Sequence, residues 1–165
     1  MFSLTAIFPP SSHTPTAAGI VCLGVLAGVV NAQPCPPGWS KLSDTAGVPA
    51  RRYTAVAAEG GGSTVALFGG SSAGPSLGDT WVRTNAAWEQ RVVTGPSART
   101  GHSMAHDPSR LRTVLFGGVD EQGVLSETWE WNGSAWALVA TTGPAARYDH
   151  AMAYDIARGV TILFG

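Results

Sequence analysis

A 48-residue internal repeat constrains the fold of this chain more than any other feature of its sequence. The segment Leu67-Phe68-Gly69-Gly70 recurs as Leu115-Phe116-Gly117-Gly118 and again as Leu163-Phe164-Gly165, with the same step each time. The two complete copies are identical at 15 of 48 positions without a gap, and the incomplete third copy matches the second at 10 of 19. Chance does not hold one register through three copies, and a period of this length indicates a repeat architecture.

Each complete repeat contains four short segments with the composition of β-strands. In the second copy, turn-forming residues separate these segments: an Asp-Pro pair, a double glycine and an Asn-Gly pair. Consecutive strands joined by such turns form an antiparallel sheet. The predicted strands of the second copy are His102–His106, Thr113–Phe116, Glu127–Trp131 and Trp136–Ala140.

A single four-stranded sheet cannot bury both of its faces, so the repeats need one another. Radial stacking of such sheets gives a β-propeller, and tryptophans are expected to fill the seams between its blades. Positions that recur in the copies are expected to serve the blade rather than a ligand. The arginines among them are expected to satisfy buried carbonyl groups, or the recurring acids Asp79 and Glu127, between blades. The recurring positions are Arg51, Arg99, Arg147, Gly69, Gly70, Gly117, Gly118, Trp81, Trp129, Trp88 and Trp136.

Several features of the repeat together resemble the kelch repeat. A double glycine follows an apolar strand, an acid-Thr-Trp strand comes next, and a second tryptophan follows that strand. Arg99 and Arg147 each open a copy with Arg-x-x-His, whereas Thr54 takes the histidine position in the first copy. The resemblance covers Trp39 to Gly165. It implies an all-β, kelch-type β-propeller fragment of about two and a half four-stranded antiparallel blades, similar to the central domain of galactose oxidase.

The repeat register divides the chain into five segments. Closed propellers use about 4–8 blades, so the sequence predicts a truncated chain in which missing blades or another copy are needed to close the ring. Trp39 lies near the register of the fourth-strand tryptophans and is expected on a ring-closing strand. The predicted segments are 1–32 (signal peptide), 33–50 (N-terminal tail and ring-closing strand), 51–98 (blade 1), 99–146 (blade 2) and 147–165 (partial blade 3).

No charged side chain precedes Lys41. Within that uncharged segment, Ala17–Val30 is an apolar run, shorter than the about 20 residues that span a bilayer as a helix. Val30-x-Ala32 fits a signal-peptidase site. This pattern predicts a cleaved leader and therefore a secreted, periplasmic or cell-surface protein. Because no Lys or Arg precedes the run, an uncleaved anchor and a mis-assigned start with a buried strand stay open as alternatives.

The loop between the second and third strands differs most between copies. It comprises residues 71–78 in the first copy and 119–126 in the second. In an antiparallel blade this loop emerges at the same end as the connection between blades, and exposed loops on a rigid scaffold commonly carry binding. The candidate residues of this ligand face are Asp120, Glu121, Gln122, Tyr148 and Asp149.

No group of residues predicts catalysis, a metal site or a cofactor. His102 and His106 lie four apart on a predicted strand without a third ligand nearby. The glycine-rich segment 60–64 lacks the Gly-Lys-Ser/Thr ending of a phosphate-binding loop. Ten Lys and Arg against 11 Asp and Glu give a net charge of −1, so no basic field exists for nucleic acid or an anionic membrane.

The kelch resemblance implies two functions. The first is an exported, non-catalytic scaffold that binds a protein or glycan partner. The second is part of a galactose-oxidase-like or other carbohydrate-active propeller enzyme whose catalytic residues lie outside this segment. The oxidase resemblance would imply a copper site of Tyr and His with a Cys–Tyr crosslink, yet Cys35 is the only cysteine that remains after leader cleavage. A sialidase motif is matched only by Gly78-Asp79-Thr80-Trp81.

Overall fold

The computed structural model describes residues 21–26, 29–34, 47–60, 63–84 and 87–165. The chain forms two compact units, Met1–Lys41 and Leu42–Gly165. In the first unit, strands β1 (Val21–Leu26) and β2 (Val29–Pro34) pair antiparallel.

The predictions for the N-terminal segments fall largely beyond the described residues. Strand β1 and most of strand β2 lie inside the segment predicted to be a signal peptide, and positions 1–20 of that segment lie outside the description. The same holds for Cys35, for Trp39 and for most of the predicted ring-closing strand. Among the described residues, no helix has the length and apolar character needed to cross a membrane.

The first complete repeat forms a four-stranded antiparallel sheet, as the sequence predicts. Its strands follow one another in sheet order as they do along the chain. Every strand is therefore joined to its neighbour by a hairpin connection, which requires no crossover. The strands are β3 (Ala55–Glu59), β4 (Thr64–Ser71), β5 (Ser76–Thr84) and β6 (Ala87–Arg91).

The second repeat forms the same sheet. In both repeats the segment expected to be a plain loop carries strand pairing: Ser71 pairs with Ser76 in the first, and the second has a separate short hairpin of β9 (Val119–Asp120) and β10 (Gly123–Val124). The four main strands begin and end within one residue of their predicted bounds. The elements are β7 (Ser103–Asp107), β8 (Arg112–Phe116), β9 (Val119–Asp120), β10 (Gly123–Val124), β11 (Thr128–Trp131) and β12 (Trp136–Ala140). In the third repeat, β13 (Ala151–Asp155) pairs antiparallel with β14 (Val160–Phe164).

The first strands of successive repeats lie side by side, because β3 packs against β7 and β7 packs against β13. Backbone hydrogen bonds join the repeats at equivalent positions. The amide of Gly70 donates to the carbonyl of Arg99 (3.0 Å), and the amide of Gly118 donates to the carbonyl of Arg147 (2.9 Å). The junction between the first two repeats and that between the second and third therefore share one hydrogen-bonding pattern.

The double glycines are required by this close approach. A Cβ atom on Gly69 would lie 2.8 Å from the carbonyl oxygen of Arg99, and one on Gly117 would lie 2.5 Å from that of Arg147. Both glycines also have positive φ, 59° and 64°, where a side chain is strained. The recurring Gly-Gly pair thus admits the backbone of the following repeat.

A third repeated feature is a left-handed backbone position just before the first strand of each repeat. Tyr53, Gly101 and Asp149 occupy equivalent positions and all have left-handed backbones, with φ of 56°, 64° and 54°. The amide of Gly101 donates to the carbonyl of Tyr53 (3.1 Å), and the amide of Asp149 donates to the carbonyl of Gly101 (2.7 Å). One chain of backbone hydrogen bonds therefore links all three repeats.

Candidate ligand-binding face

The recurring arginines fix the base of each loop on the candidate face. Arg51 donates through Nη1 and Nη2 to both carboxylate oxygens of Asp79 (2.7 and 3.0 Å) and through Nη1 to the carbonyl of Gly69 (3.1 Å). Arg99 donates to Glu127 (2.7 Å) and to the carbonyl of Gly117 (3.1 Å).

The sequence predicts that each arginine acts between blades. Its acid and the glycine carbonyl belong to its own repeat, but Arg99 also donates to the carbonyl (3.2 Å) and the hydroxyl (2.9 Å) of Ser97, which lies in the first repeat. The contacts within one repeat form because the arginine precedes the first strand and lies over the end of the second strand, where the carbonyl group of the first glycine of the pair is exposed to it. Arg147 makes the equivalent contact with the carbonyl of Gly165 (2.7 Å).

The two recurring acids are held in their charged form. The hydrogen bond from Arg99 lowers the pKa of Glu127, and the indole N–H of Trp129 adds to this effect (3.0 Å). Burial alone would raise the pKa of Asp79, but the bonds from Arg51 and Trp81 outweigh it, so the pKa falls below its ordinary value. Charged hydrogen bonds of this kind are stronger than neutral ones, and they make a rigid frame.

The carboxylate of Asp120 orders the loop of the second repeat through hydrogen bonds. Its carboxylate accepts hydrogen bonds from the hydroxyl of Ser97 (2.8 Å) and from the amides of Gln122 (2.8 Å) and Gly123 (3.2 Å). Burial raises the pKa of Asp120, but these donors bring it below its ordinary value. The predicted ligand residue Asp120 is thus a positioning residue for the β9–β10 hairpin.

Glu121 and Gln122 are exposed at the tip of this hairpin. Together with Ser97, Ala98 and Asp120 they line a groove of about 220 Å³, which we call the acidic groove. The structure therefore brings three of the five predicted ligand residues to one depression.

The first repeat has a groove at the corresponding place, which we call the basic groove. It measures about 460 Å³ and includes Arg51 and the exposed Arg52. Three of its lining positions are related to those of the acidic groove by the 48-residue step: Ala50 corresponds to Ala98, Ser72 to Asp120, and Ala73 to Glu121. The other lining residues of the basic groove are Ala50, Ser71, Ser72 and Ala73. One frame thus carries different side chains in successive repeats.

Tyr148 and Asp149 lie beside Gly101 and are not among the residues that line the acidic groove. A Cβ on Gly101 would lie 3.3 Å from the Cβ of Tyr148 and 2.8 Å from Oδ1 of Asp149. Tyr53, which the sequence did not single out, flanks Gly101 on the other side through the bond to its carbonyl. The two tyrosines are 57% (Tyr53) and 55% (Tyr148) exposed, and the guanidinium of Arg52 lies 5.5 Å from the ring centroid of Tyr53.

The signal that identifies Tyr53 is positional. Successive 48-residue steps lead from Tyr53 to Gly101 and on to Asp149, the left-handed positions of the three copies. A bulky residue with positive φ is unusual, and strained residues cluster at functional sites. Tyr53, Gly101, Tyr148 and Asp149 form what we call the tyrosine platform.

The tryptophans are mostly buried, and one buried tryptophan, Trp131, is not among the recurring positions that the sequence singled out. Trp81 and Trp136 are buried, whereas Trp88 and Trp129 are partly buried. Trp131 is fully buried and packs on Trp136, with ring centroids 5.4 Å apart. It does not recur, because the first copy has an arginine there, so a search for recurring positions passes over it.

The histidines that open the second and third repeats are seam residues. The ring of His102 packs edge-on against Phe68 of the first repeat (5.5 Å), and His150 packs in the same way against Phe116 (5.7 Å). Neither ring nitrogen of either histidine finds a hydrogen-bond partner in the described part of the chain. Burial, with the charge of Arg99, lowers the pKa of His102 to about 3, so the ring is neutral at physiological pH.

His106, the other residue of the His-x-x-x-His spacing, has a different environment. Its Nδ1 lies 3.0 Å from the hydroxyl of Thr113, which donates to Glu59 of the first repeat (2.8 Å). No cluster of three or more His, Cys, Asp or Glu suited to a metal ion occurs among the residues that the structure describes.

Two comparisons with known proteins identify no relative of this chain. A scan against models of protein families finds no match, and a search of curated proteins finds none that is significantly similar in sequence. The function is therefore argued from the geometry of the face.

Proposed function

We propose that this chain is part of an exported kelch-type β-propeller that binds a protein or glycan partner without performing chemistry on it. Radial stacking is supported by the adjacent first strands and by seam hydrogen bonds that repeat at a 48-residue step. Such a fold presents loops of every blade on one face and holds them on a rigid scaffold.

The observation that carries this proposal is the pair of equivalent grooves. The arginine frame is the same in both repeats. Above it, the first groove carries the basic Arg52 beside neutral residues, and the second groove carries the acidic Asp120 and Glu121. Side chains that differ between blades on one rigid frame allow each blade to contact a different part of a partner.

Binding tests should separate the face from the rest of the surface. The full chain, displayed against a glycan array and a library of extended peptides, is expected to retain ligands from at least one of them. Tyr148→Ala and Glu121→Gln are expected to weaken that binding by about tenfold or more, as truncated contact residues commonly do. Glu89→Gln is the matched control, because Glu89 is an exposed glutamate on the outer strand β6.

Two results would contradict the proposal. Equal binding by all three variants would show that the candidate face does not take part in ligand binding. Copper-dependent release of hydrogen peroxide from galactose would instead favour an oxidase.

Export is tested separately, by N-terminal sequencing of protein secreted from an expression host: cleavage after Ala32 is expected, and a retained N-terminus would contradict it.

A further inference from the structure

The turn between β11 and β12 holds a side-chain amide in an unusual set of contacts. The backbone amide of Asn132 donates to the carbonyl of Ala135 (3.2 Å) and closes the turn. The side-chain Oδ1 of Asn132 accepts three hydrogen bonds: from the amide of Ser134 (2.9 Å), from its hydroxyl (2.9 Å) and from the amide of Ala135 (2.8 Å). All of these residues are exposed to solvent.

These contacts resemble an oxyanion hole. When a nucleophile attacks Cγ of Asn132, negative charge develops on Oδ1, which three donors already hold at hydrogen-bond distance. Donors preorganised around a developing oxyanion lower the barrier to attack on a carbonyl carbon. A negative charge that develops on Oδ1 during attack therefore finds these donors already in place.

The nucleophile is the backbone nitrogen of the next residue, Gly133. Within the described chain, the backbone amide of Gly133 makes no hydrogen bond to a backbone carbonyl outside the strands. A Cβ built on Gly133, whose φ is 93°, would meet no atom within 4 Å. Solvent bases therefore reach its N–H, and no side chain hinders its approach to Cγ.

We propose that Asn132 is a self-modification site that deamidates in the folded protein. The Gly133 nitrogen bonds to Cγ of Asn132, the Cγ–Nδ2 bond breaks, and Nδ2 leaves as ammonia with the proton that the Gly133 nitrogen gives up. Water then opens the resulting five-membered imide at either carbonyl, giving aspartate or isoaspartate. The reaction needs water alone as co-reactant.

The product changes the junction between the first two repeats. Asn132 and Glu59 line one cavity of about 150 Å³, so the new carboxylate lies near an existing one. Isoaspartate also reroutes the backbone through the side chain just before β12 begins at Trp136. Trp136 is the residue whose indole N–H bonds to Thr80 of the first repeat (2.9 Å). Deamidation is therefore expected to loosen this seam.

The reaction is tested by incubating the purified chain at mildly alkaline pH and mapping its peptides by mass spectrometry. The Asn132 peptide is expected to gain the mass difference between NH₂ and OH, and a methyltransferase specific for isoaspartate is expected to label it. Asn85 is an internal control, because Ala86 rather than glycine follows it near the corresponding position of the first repeat. It is expected to stay intact over the same period.

Two variants separate the activated turn from the Asn-Gly sequence alone. Ser134→Ala removes one donor to Oδ1 and is expected to slow the reaction by about tenfold, below the full effect of a buried oxyanion donor. Asn132→Asp mimics the product and is expected to lower the melting temperature. If Ser134→Ala perturbs the fold, Ser134→Cys replaces it, because a thiol keeps the shape of the side chain and is a weaker hydrogen-bond donor than the hydroxyl. An intact Asn132 in the folded chain, under conditions that deamidate it in urea, would overturn the proposal, as would an unchanged rate in Ser134→Ala.

Discussion

The indole N–H of Trp136 donates a hydrogen bond to the hydroxyl of Thr80, 2.9 Å away and 56 positions earlier in the chain. Both residues are buried, and they belong to different repeats. The same indole packs edge-on against Phe68, with ring centroids 5.3 Å apart. Trp136 therefore stands on the outer strand of the second sheet but completes the core of the first.

Replacement of Trp136 should show how much this seam contributes. Trp136→Phe keeps an aromatic ring but leaves the buried hydroxyl of Thr80 without its donor, which costs about 1–3 kcal/mol. Trp136→Ala adds a cavity and should cost about 3–5 kcal/mol. Urea denaturation measures both. The control is Trp88→Phe at the equivalent position of the first repeat, where the ring is only partly buried. An equal loss at Trp88 would contradict a special role for the Trp136 seam.

The double glycine offers a second test, with a control that isolates its cause. In Gly117→Ala, the new Cβ would lie 2.5 Å from the carbonyl oxygen of Arg147, on a backbone with φ of 64°. In Gly159→Ala the φ is nearly the same, 67°, and the nearest atom, the hydroxyl oxygen of Tyr154, lies 3.8 Å away at an ordinary contact distance. Gly159→Ala should therefore cost only the conformational strain of about 1–2 kcal/mol, and Gly117→Ala clearly more, as measured by thermal or urea unfolding. Similar losses would mean that backbone conformation alone explains the recurring glycine pair.

The sheets of this chain could be predicted closely because the repeat supplies three versions of one pattern. The bounds of β7, β8, β11 and β12 agree with prediction to within a residue, since Gly, Pro and Asn end the apolar segments between them. Trp131 was not predicted as a core residue, because the prediction relied on residues that recur in the copies and Trp131 does not recur. It is a core residue in one copy only, and its burial depends on Trp136 and on the neighbouring sheet.

The candidate face stays a prediction, and the structure adds contacts there that the sequence does not indicate. The carboxylate of Asp120, a candidate ligand residue, orders the loop through Ser97, which lies 23 positions away in sequence. Tyr53 was overlooked because its importance rests on a left-handed backbone and on the bond to Gly101. Both facts depend on how the repeats meet in space, which the pattern of a single repeat does not contain.

The neutral histidines at the seams predict a pH dependence of stability. The pKa of His102 is lowered by burial from 6.5 to about 3, so the unfolded chain binds a proton below pH 6.5 that the folded chain refuses. The free energy of unfolding keeps its full value above pH 6.5 and falls as the pH is lowered towards 3, because proton binding then stabilises the unfolded chain. The slope for one such group is about 1.4 kcal/mol per pH unit. His150, whose pKa burial also lowers, acts in the same direction.

Urea denaturation between pH 6.5 and 5.5, above the ordinary pKa values of the paired acids (3.8 for Asp and 4.5 for Glu), isolates this effect. The free energy of unfolding should fall steadily through this range in the parent chain. In His102→Gln the decline should be clearly shallower, because one of the refused protons is gone, while stability above pH 6.5 serves as the baseline for each protein. Parallel declines in the two proteins would show that His102 does not titrate between the folded and unfolded states in this range.

The ion pair of Arg99 and Glu127 should matter far more than a similar pair on the surface. The Arg99 side chain is 0% exposed and that of Glu127 is 32% exposed, so Glu127→Gln leaves a buried guanidinium uncompensated. Removing one partner of a buried pair costs about 3–5 kcal/mol, and the partial exposure of Glu127 places the expected loss at the lower end. Glu89→Gln is the control, because the side chain of Glu89 is 55% exposed and that of its partner Arg91 is 38% exposed, and such pairs contribute about 0–1 kcal/mol. Thermal unfolding of both variants distinguishes them: a loss in Glu127→Gln no greater than in Glu89→Gln would mean that water, rather than the recurring acid, compensates the charge of Arg99.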